Sequence, residues 1–199
     1  MPRTSAILLA AGRSERMGTH KALLTWEGVP LLAYQLKQLS AVKDVAEIVV
    51  VTGYGAPRLA PIIDAAGPRV RAVHNAEFER GKTGSIRLGL DAIGDATDSI
   101  LLLAVDQPRP ADVLALLIEA HHRERALITR PVRHGRHGHP VIFSRSLLGE
   151  LRAIDEQTFG VRAVIARHAA ELCDVEVDDP VIHLDLNTPS DVADDDPDQ

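Results

Sequence analysis

Cationic and acidic residues follow two apolar stretches of the sequence, in positions suited to phosphate binding. The first stretch runs into "LLAAGRSERMGTHK" (8–21), where small residues give way to Arg13, Arg16 and Lys21. Small side chains let a ligand approach the backbone amides, while arginine and lysine supply positive charge to phosphate oxygens. The second stretch, "LLLAVDQPRP", ends with Asp106 at a point where a carboxylate could hold Mg²⁺. Spacing alone leaves simpler alternatives open: an exposed turn with incidental arginines, and an Asp that only caps a turn.

Two well-known phosphate-binding motifs do not match the first stretch. A Walker A loop has Gly-Lys-Ser or Gly-Lys-Thr after its spacer, whereas Gly18 is followed by Thr19, His20 and only then Lys21. The dinucleotide-binding fingerprint has three closely spaced glycines, whereas this stretch contains Gly12 and Gly18. The stretch is therefore a candidate phosphate loop of a different kind.

A parallel sheet is the arrangement that would bring the two stretches together. Apolar runs with the length and β-branching of buried strands occur at 5–11, 46–52, 69–74, 99–105, 126–132, 139–144 and 174–177. Apolar residues at helical spacing occur between them, at 30–42, 84–94, 110–125 and 158–172. This alternation predicts an α/β fold with a mainly parallel sheet covered by helices on both faces. Ligands of such sheets bind beyond the carboxyl ends of the strands, which is where both stretches lie.

Composition favours one globular domain and excludes a nucleic-acid partner. The chain has 199 residues, 45% of them hydrophobic and 25% charged, which is enough for one well-filled core. We predict a single domain over residues 1–192 and an acidic, disordered tail over 193–199. The net charge of −6 argues against nucleic acid, because a surface that binds it needs a basic stripe.

The sequence gives no indication of a membrane or of an oxidising compartment. No apolar stretch approaches the ~20 residues that a membrane-spanning helix needs, and the first residues lack a signal-peptide pattern. The one cysteine, Cys173, has no partner for an internal disulfide, which suits a reducing compartment. We therefore expect a cytoplasmic protein with no membrane partner.

The first stretch resembles the signature of the MobA-like nucleotidyltransferases, Leu-Ala-Ala-Gly-x-Ser-x-Arg-Met-Gly-x-x-Lys. The matching positions are Leu9, Ala10, Ala11, Gly12, Ser14, Arg16, Met17, Gly18 and Lys21. The resemblance implies a three-layer α/β/α Rossmann-like fold with a mainly parallel mixed sheet. It further implies that residues 9–12 contact a nucleoside triphosphate and that Arg16 and Lys21 neutralise its transferred and leaving phosphates. The Ala-Ala pair is similar to the cytidylyl-transferring branch, because the guanylyl branch usually has Leu-Ala-Gly-Gly.

Two further motifs imply a Mg²⁺ site. "VDQP" resembles the family's Asp-Gln-Pro motif, which makes Asp106 the expected metal ligand. "VIHLDLNTPSDV" resembles the family's Asp-Ile-Asp-Thr-Pro-Glu-Asp motif, and the matching positions are Asp185, Thr188, Pro189 and Asp191. Asn187 replaces the middle carboxylate, as in the guanylyl branch, and its carbonyl oxygen can still bind Mg²⁺. Asp185 and Asn187 are thus the other expected ligands, and a cap on a short last helix is compatible with this role.

The segment "HNAEFERGKTGSIRLGL" (74–90) is similar to the family segment that faces the nucleoside. Its matching positions are Asn75, Gly81, Ser85 and Leu90, whereas Lys82 stands in place of the usual methionine. The resemblance implies that Gly81 and Ser85 face the base or the ribose. A strand-to-helix loop with Ser85 near an N-cap is an equally good alternative. Thr52, at the end of another predicted strand, is expected on the same rim and near the nucleotide.

The stretch "RPVRHGRHGHPVIF" (130–143) contains three histidines but is a poor zinc site. It is short, contains two glycines, lacks a nearby cysteine and leads into a strand, where alternate residues face opposite ways. It resembles the Gly-x-x-Gly-His-Pro-Val motif of the cytidylyl branch, which implies that Gly138, His139 and Pro140 shape the acceptor pocket. Candidate contacts for the acceptor's phosphate are Arg130, Arg133 and Arg136.

Two predicted helices carry further polar residues. Gly160 and Arg162 match the family's Gly-x-Arg at a helix start, where an anion could bind, although ordinary packing explains them as well. His121 and His122 fall late in the predicted helix 110–125 and are expected on the surface.

The resemblance implies an Mg²⁺-dependent enzyme that moves CMP from CTP to the phosphate of molybdopterin cofactor and releases pyrophosphate. The expected partners are CTP and that phosphorylated acceptor, with a molybdoenzyme or its chaperone as a candidate protein partner. Three alternatives stay open: GTP or another phosphorylated acceptor, a metal-dependent glycosyltransferase, and an accessory protein that binds molybdenum cofactor without turnover. A glycosyltransferase would need Asp-x-Asp after a strand, which "VDQP" does not supply.

Overall fold

An eight-stranded mixed sheet lies at the centre of the computed structural model, which describes residues 2–13, 19–158, 160–187 and 191. In chain order the strands are β1 (Thr4–Ala10), β2 (Thr25–Trp26), β3 (Val29–Pro30), β4 (Val45–Thr52), β5 (Val70–His74), β6 (Ser99–Ala104), β7 (Ile128–Arg133), β8 (Arg136–His137), β9 (Val141–Ser144) and β10 (Leu172–Glu176). The sheet has the order β10-β7-β9-β6-β1-β4-β5, with β8 paired to β7, while β2 and β3 form a small antiparallel hairpin.

Strand β1 is the parallel centre of the sheet. It runs parallel to β4 on one side and to β6 on the other, and β5 continues in the same direction beyond β4. Strand β9 runs antiparallel to both β6 and β7, and β10 is parallel to β7. The strands β1, β4, β5, β6 and β7 therefore all end at one edge of the sheet, the carboxyl edge, and begin at the opposite amino edge. The predicted mainly parallel, mixed sheet is confirmed.

Helices cover both faces of the sheet. They are α1 (Leu31–Ala41), α2 (Ala56–Ala65), α3 (Lys82–Ala92), α4 (Ala111–Glu124), α5 (Leu148–Arg152) and α6 (Val161–Arg167), with 3₁₀ turns at Lys21–Leu23, Phe78–Arg80, Arg145–Leu147, Ala169–Glu171 and Pro180–His183. Alternate residues of β1 face opposite layers. Ala6 and Leu8 pack with residues of α1, α2 and α4, whereas Ile7 and Leu9 pack with residues of α3, α5 and α6. The predicted three-layer α/β/α Rossmann-like fold is confirmed.

The strands follow the sequence prediction more closely than the helices do. Each predicted strand is present, with its ends shifted by at most two residues. Helix α2 was not predicted, because Pro57 and Pro61 lower the helical propensity of a segment that nevertheless packs Leu59 and Ile63 into the core. Helix α5 was not predicted either, and the helical stretch 158–172 forms a regular helix only from Val161 to Arg167.

The expectation that His121 lies on the surface is wrong. Its side chain is 3% exposed, and Nδ1 lies 2.9 Å from the Thr129 hydroxyl of β7. His121 falls on the buried stripe of α4, seven residues after Leu114 and three after Ile118, so helical periodicity turns it toward the sheet. Burial, together with the neighbouring His122, lowers the pKa of His121 to about 4.

No helix among the described residues combines the length and the apolar character that a bilayer crossing requires. The predicted tail 193–199 lies outside the described residues, so the domain boundary at residue 192 stays a prediction.

Candidate active site

Three polar side chains from distant parts of the sequence meet at the carboxyl edge. The Lys21 ammonium donates a hydrogen bond of 2.7 Å to Oδ2 of Asp106 and one of 2.9 Å to Oδ1 of Asn187. Lys21 opens a 3₁₀ turn beyond β1, Asp106 lies just beyond β6, and Asn187 follows the last 3₁₀ turn. The side chains of Lys21 and Asp106 are 14% and 24% exposed, so a ligand can reach them.

A backbone hydrogen bond fixes the segment that carries Asn187 against the loop that carries Asp106. The Leu186 amide donates to the Asp106 carbonyl at 2.9 Å. The Leu186 side chain is fully buried in a small apolar cluster with Trp26. One apolar residue between two polar ones therefore anchors the segment and leaves Asn187 directed at Lys21.

A cavity of 350 Å³, the first cavity, opens beside Lys21 and Asp106. The predicted nucleotide-binding residues that line it are Leu9, Ala10, Ala11, Gly12, Lys21, Gly81, Ser85 and Asp106. The loop after β1 keeps this space open, since a side chain added at Gly12 would meet no atom within 4 Å. The structure thus brings together residues from the ends of β1 and β6 and from the start of α3.

Thr52 is a predicted nucleotide-binding residue that, in the described structure, does not line the first cavity. Its side chain is 3% exposed, and its hydroxyl donates to the Val73 carbonyl of β5 at 3.2 Å. Thr52 shares the face of Val50, which packs with residues of α1 and α2, because alternate strand residues point the same way. The expectation for Thr52 is therefore corrected. Arg16 lies outside the described residues.

Gly81 and Ser85 line the first cavity, and each also contacts a neighbouring side chain of the protein. The Ser85 hydroxyl accepts a hydrogen bond of 2.9 Å from Nδ2 of Asn75. Gly81 has φ of 118°, a backbone conformation that favours glycine, and a Cβ added there would overlap the Glu156 side chain. The Glu156 carboxylate accepts a hydrogen bond of 2.7 Å from the Thr83 amide. Gly81 therefore lets an acidic side chain reach the first turn of α3.

Arg13 is engaged by aromatic and acidic neighbours rather than lining the first cavity. Its guanidinium carbon lies 5.7 Å from the ring centroids of both Tyr54 and Phe78, and it pairs with Glu79. The His20 ring stacks on Tyr54 with centroids 6.0 Å apart, and its Nε2 lies 2.8 Å from the Tyr54 carbonyl. Burial lowers the pKa of His20, against the opposing effect of its hydrogen bond to the Tyr54 carbonyl, and so favours the neutral ring.

Oxygen atoms converge where the sequence predicts a metal. The Asp106 carboxylate and the Asn187 amide oxygen contact the same ammonium group, which shows that the two can share one cation. Asp185 is exposed, and its carbonyl accepts a hydrogen bond of 3.3 Å from Nδ2 of Asn187. Mg²⁺ is usually held by one or two carboxylates together with substrate phosphates and water, so this donor set fits it. Across the described ranges, no three His, Cys, Asp or Glu side chains are grouped to hold a metal by themselves.

Arg109 is a fully buried arginine behind the site, and its role was not predicted from the sequence. Its guanidinium donates hydrogen bonds of 2.7 to 3.1 Å to four backbone carbonyls, those of Pro108, His139, Ile182 and Leu184. Burial lowers the pKa of Arg109 to about 10, against the opposing effect of Asp185 and Asp106, so the group stays charged at neutral pH. Arg109 thereby ties the loop after β6 to the 139 and 182–184 segments. The feature of the sequence that could have indicated Arg109 is its position three residues after Asp106.

A second cavity of 440 Å³ adjoins the first, and Leu9, Lys82 and Ala104 line both. His139 lines the second cavity, whereas Gly138 and Pro140 are not among the described residues that line it. The Gly138 amide donates to the Pro131 carbonyl at 2.9 Å, and a Cβ added at Gly138 would overlap the Ile182 carbonyl. Pro140 is buried and follows a cis peptide bond. Of the three predicted acceptor residues, His139 is the one whose side chain reaches this space.

The charged neighbours of His139 act on its protonation in opposite directions. Loss of water around the ring is the main reason that the pKa of His139 is lowered. Lys82 and Arg109 lower it further, whereas Asp185 and Asp106 raise it. The net lowering of the pKa of His139 favours the neutral form of its ring.

Two of the three arginines of the 130–143 stretch, Arg130 and Arg133, form ion pairs with aspartates that do not line the second cavity. Arg130 Nε donates to Asp174 Oδ1 at 2.6 Å, and His137 Nε2 lies 3.2 Å from the other oxygen of Asp174. Arg133 pairs with Asp178 at 3.2 Å, and Arg136 is exposed. These three arginines are not among the described residues that line the second cavity, whereas Arg162, in the first turn of α6, is.

A Rossmann-like sheet with a small-residue loop, a lysine and oxygen ligands at its carboxyl edge is typical of enzymes that bind nucleotides. Residues 6–172 match the family model of the MobA-like NTP transferase domain, and the chain belongs to this family. The prediction of a nucleotidyltransferase is thereby confirmed.

Relatives of this chain are named for two different nucleotides. Over 194 residues the chain is 28% identical to the molybdenum cofactor cytidylyltransferase of Escherichia coli (strain K12), which covers 96% of this chain and 94% of that one. Over 120 residues it is 33% identical to the molybdenum cofactor guanylyltransferase of Rhodobacter capsulatus, with 59% of each chain covered. The relatives thus agree on nucleotidyl transfer and differ in the nucleotide.

Solved structures of one mycobacterial protein share the fold. Rv0371c from Mycobacterium tuberculosis H37Rv has a TM-score of 0.82 at 25% identity, covering 97% of this chain and 96% of that one. A structure of Rv0371c in complex with manganese has a TM-score of 0.77 at 22% identity, covering 96% of this chain and 97% of that one. The similarity extends over nearly the whole length of both proteins.

Proposed function

We propose that this chain transfers CMP from CTP to the phosphate of molybdopterin cofactor and releases pyrophosphate, with Mg²⁺ as the divalent cation. The observation that carries the proposal is the meeting of Lys21, Asp106 and Asn187 beside a cavity lined by small residues. A cation for phosphate oxygens and oxygen ligands for a metal thus lie at one point of the carboxyl edge.

The reaction needs charge neutralisation more than acid–base catalysis. A phosphate oxygen of the acceptor attacks the α-phosphorus of CTP and forms a new P–O bond. The bond from the α-phosphorus to the oxygen shared with the β-phosphorus breaks, and pyrophosphate leaves with its electron pair. The acceptor phosphate is already anionic near neutral pH, so no side chain has to remove a proton first. The chain contributes positioning and positive charge.

The loop after β1 is the proposed binding site of the triphosphate. Its small residues leave the backbone accessible at the wall of the first cavity, and Lys21 brings an ammonium group to the same wall. Arg16, from the same loop, is proposed to act with Lys21 on the transferred and leaving phosphates. Gly81 and Ser85 line the part of the cavity formed by α3 and are proposed to face the nucleoside.

Asp106, with Asp185 or Asn187, would hold Mg²⁺. When bound there, the ion would offset the charge of the phosphate oxygens in the transition state. Because Lys21 contacts an oxygen of Asp106 and of Asn187, the placement of the lysine depends on the same side chains as the proposed metal site. A change at Asp106 therefore disturbs both sources of positive charge.

The second cavity is the proposed binding site of the acceptor, because it shares a wall with the first. Its apolar residues Ile86, Val141 and Ile165 offer a surface to a flat heterocycle, while His139 and Arg162 supply polar contacts. This combination suits a molecule with both an apolar ring system and a phosphate.

CTP is the proposed nucleotide, and GTP is the second candidate. CTP is supported by the Ala10–Ala11 pair. It is also supported by the cytidylyltransferase relative, whose match covers 96% of this chain. Asn187 in place of a carboxylate, and the guanylyltransferase relative, support GTP.

A pyrophosphate-release assay tests the proposal. The purified chain is incubated with Mg²⁺, molybdopterin cofactor and each of CTP, GTP, ATP and UTP in turn, with a no-acceptor control and a sugar phosphate as a second acceptor. We expect release that needs molybdopterin cofactor and is fastest with CTP. Release only with GTP would replace CTP by GTP in the proposal. If none of the four nucleotides yields pyrophosphate with either acceptor, the proposal is contradicted.

A further inference from the structure

We infer that Lys82 binds the phosphate of the acceptor at the junction of the two cavities and holds it toward the nucleotide. This inference rests on the proposed function. It gives the site a cation at a position where the family usually has methionine, in the first residue of α3.

The position of Lys82 is the first argument. In the part of the chain that the structure describes, Leu9, Lys82 and Ala104 are the residues that line both cavities. They form the wall across which a ligand in one cavity faces a ligand in the other. Of the three, Lys82 alone carries a charge, so its ammonium can meet an anion at that junction.

The availability of its charge is the second argument. Lys82 is exposed, and within the described residues it donates no hydrogen bond and forms no ion pair. Glu156, the acidic residue among the described lining of the second cavity, accepts a hydrogen bond of 2.7 Å from the Thr83 amide. Lys21, by contrast, is bonded to Asp106 and Asn187. The charge of Lys82 is thus left to a ligand.

The division of charge between the two cavities favours the acceptor as that ligand. On its own side the triphosphate has Lys21 and the proposed metal ligand Asp106, which line the first cavity. Among the described residues that line the second cavity, Lys82, Glu156 and Arg162 are charged, and His139 is the histidine. Of the two cavities, Arg162 lines the second and not the first. Lys82 lines both, and it therefore lies at the boundary that the acceptor's phosphate must reach to attack the α-phosphorus.

Substitution of Lys82 by the family's usual residue tests the inference. We compare wild type with Lys82→Met, with Lys82→Arg, and with Lys43→Met as a matched control on an exposed lysine in the turn before β4. Pyrophosphate release gives KM for molybdopterin cofactor at saturating nucleotide, and calorimetry with Mg²⁺ gives Kd for the nucleotide alone. Because Lys82 is exposed, the variant is expected to fold, and its Tm checks this.

We expect Lys82→Met to raise KM for molybdopterin cofactor about 10- to 100-fold, the range of a lost hydrogen bond to a charged group. Kd for the nucleotide should stay within about twofold, Lys82→Arg should recover most of the loss, and Lys43→Met should match wild type. An unchanged KM, or a loss of nucleotide affinity as large as that of acceptor affinity, overturns the role of Lys82. Absence of pyrophosphate from the wild type itself overturns the proposed function and this assignment with it.

Discussion

The two edges of the sheet both carry polar side chains, but they use them differently. At the amino edge the hydroxyls of Thr4 and Ser99 lie 2.9 Å apart, and Ser99 Oγ lies 2.9 Å from Nε2 of His122. Thr4 and Ser99 are both 0% exposed. At the carboxyl edge, Lys21 and Asp106 also pair, yet 14% and 24% of their side-chain surface stays open to a neighbouring cavity.

Glu47, a charged residue of the amino edge, likewise has its hydrogen bonds within the protein. Burial alone would raise the pKa of Glu47, but hydrogen bonds from Ser5, the Gly94 amide and Arg71 outweigh it and lower the pKa overall. Polar groups that are buried and bonded to one another stabilise the fold and have little left to offer a ligand. We therefore expect substitutions at the carboxyl edge to reduce rate, and substitutions at the amino edge to reduce stability.

The largest effect on rate is expected for Asp106→Ala. It removes the proposed metal ligand and a partner of Lys21, so kcat for pyrophosphate release should fall about 10³-fold. The pair is partly exposed, so Tm should change by only a few degrees. Asp64→Ala, on the exposed side of α2, is the matched control and should retain full activity. Wild-type pyrophosphate release by Asp106→Ala would remove Asp106 from the site.

A smaller loss of rate is expected for Lys21→Ala. Loss of the Lys21 ammonium removes one source of positive charge for the triphosphate, so kcat/KM for the nucleotide should fall about 10²-fold. Steady-state pyrophosphate release measures this, with Lys37→Ala on α1 as the control lysine. A lower Tm with unchanged activity would show instead that Lys21 is structural.

At the amino edge, His121 should make stability depend on pH. Its pKa is lowered to about 4 in the folded state from an ordinary value of 6.5. The unfolded chain therefore binds a proton at a pH where the folded chain does not, and stability falls as pH drops from about 6.5 toward 4. Between pH 7 and pH 5 the contribution is about 2 kcal/mol of unfolding free energy.

Denaturant unfolding of wild type and His121→Gln at both pH values measures this contribution. The drop between pH 7 and pH 5 should be about 2 kcal/mol smaller in the variant, because glutamine does not titrate. Equal pH dependence of the two proteins would show that His121 is not the group responsible.

The smallest effect is expected for Ser99→Ala. It removes one hydroxyl from a buried network with Thr4 and His122, which should cost about 1 kcal/mol and lower Tm by about 2–4 °C. Thermal denaturation measures the loss, and kcat for pyrophosphate release should stay at the wild-type level. A loss of kcat comparable to that of Lys21→Ala would break the distinction between the two edges.

Sequence patterns predicted the sheet well because buried parallel strands are continuous apolar runs, such as β1 and β6. The motifs that contain Lys21, Asp106 and Asn187 follow or flank buried elements, and the structure brings these three side chains together, while their roles stay predictions. Helix α2 escaped prediction because its prolines hide a helical pattern that tertiary packing supports. Thr52 lies at a strand end, but the alternation of strand residues turns its side chain away from the first cavity, toward the Val73 carbonyl.

Other features depend on contacts that residue type does not encode. Arg109 bonds backbone carbonyls, which every residue possesses, so no partner residue could indicate it. Lys82 was noticeable only as a departure from a motif, and its place between two cavities follows from where α3 begins beside β1 and β6.

A crystal structure of the chain with CTP and Mg²⁺ tests the central claim most directly. We expect the triphosphate beside Lys21 in the first cavity, with the metal ion bound by Asp106. A nucleotide that occupies another surface and leaves Lys21 and Asp106 without contact would contradict it.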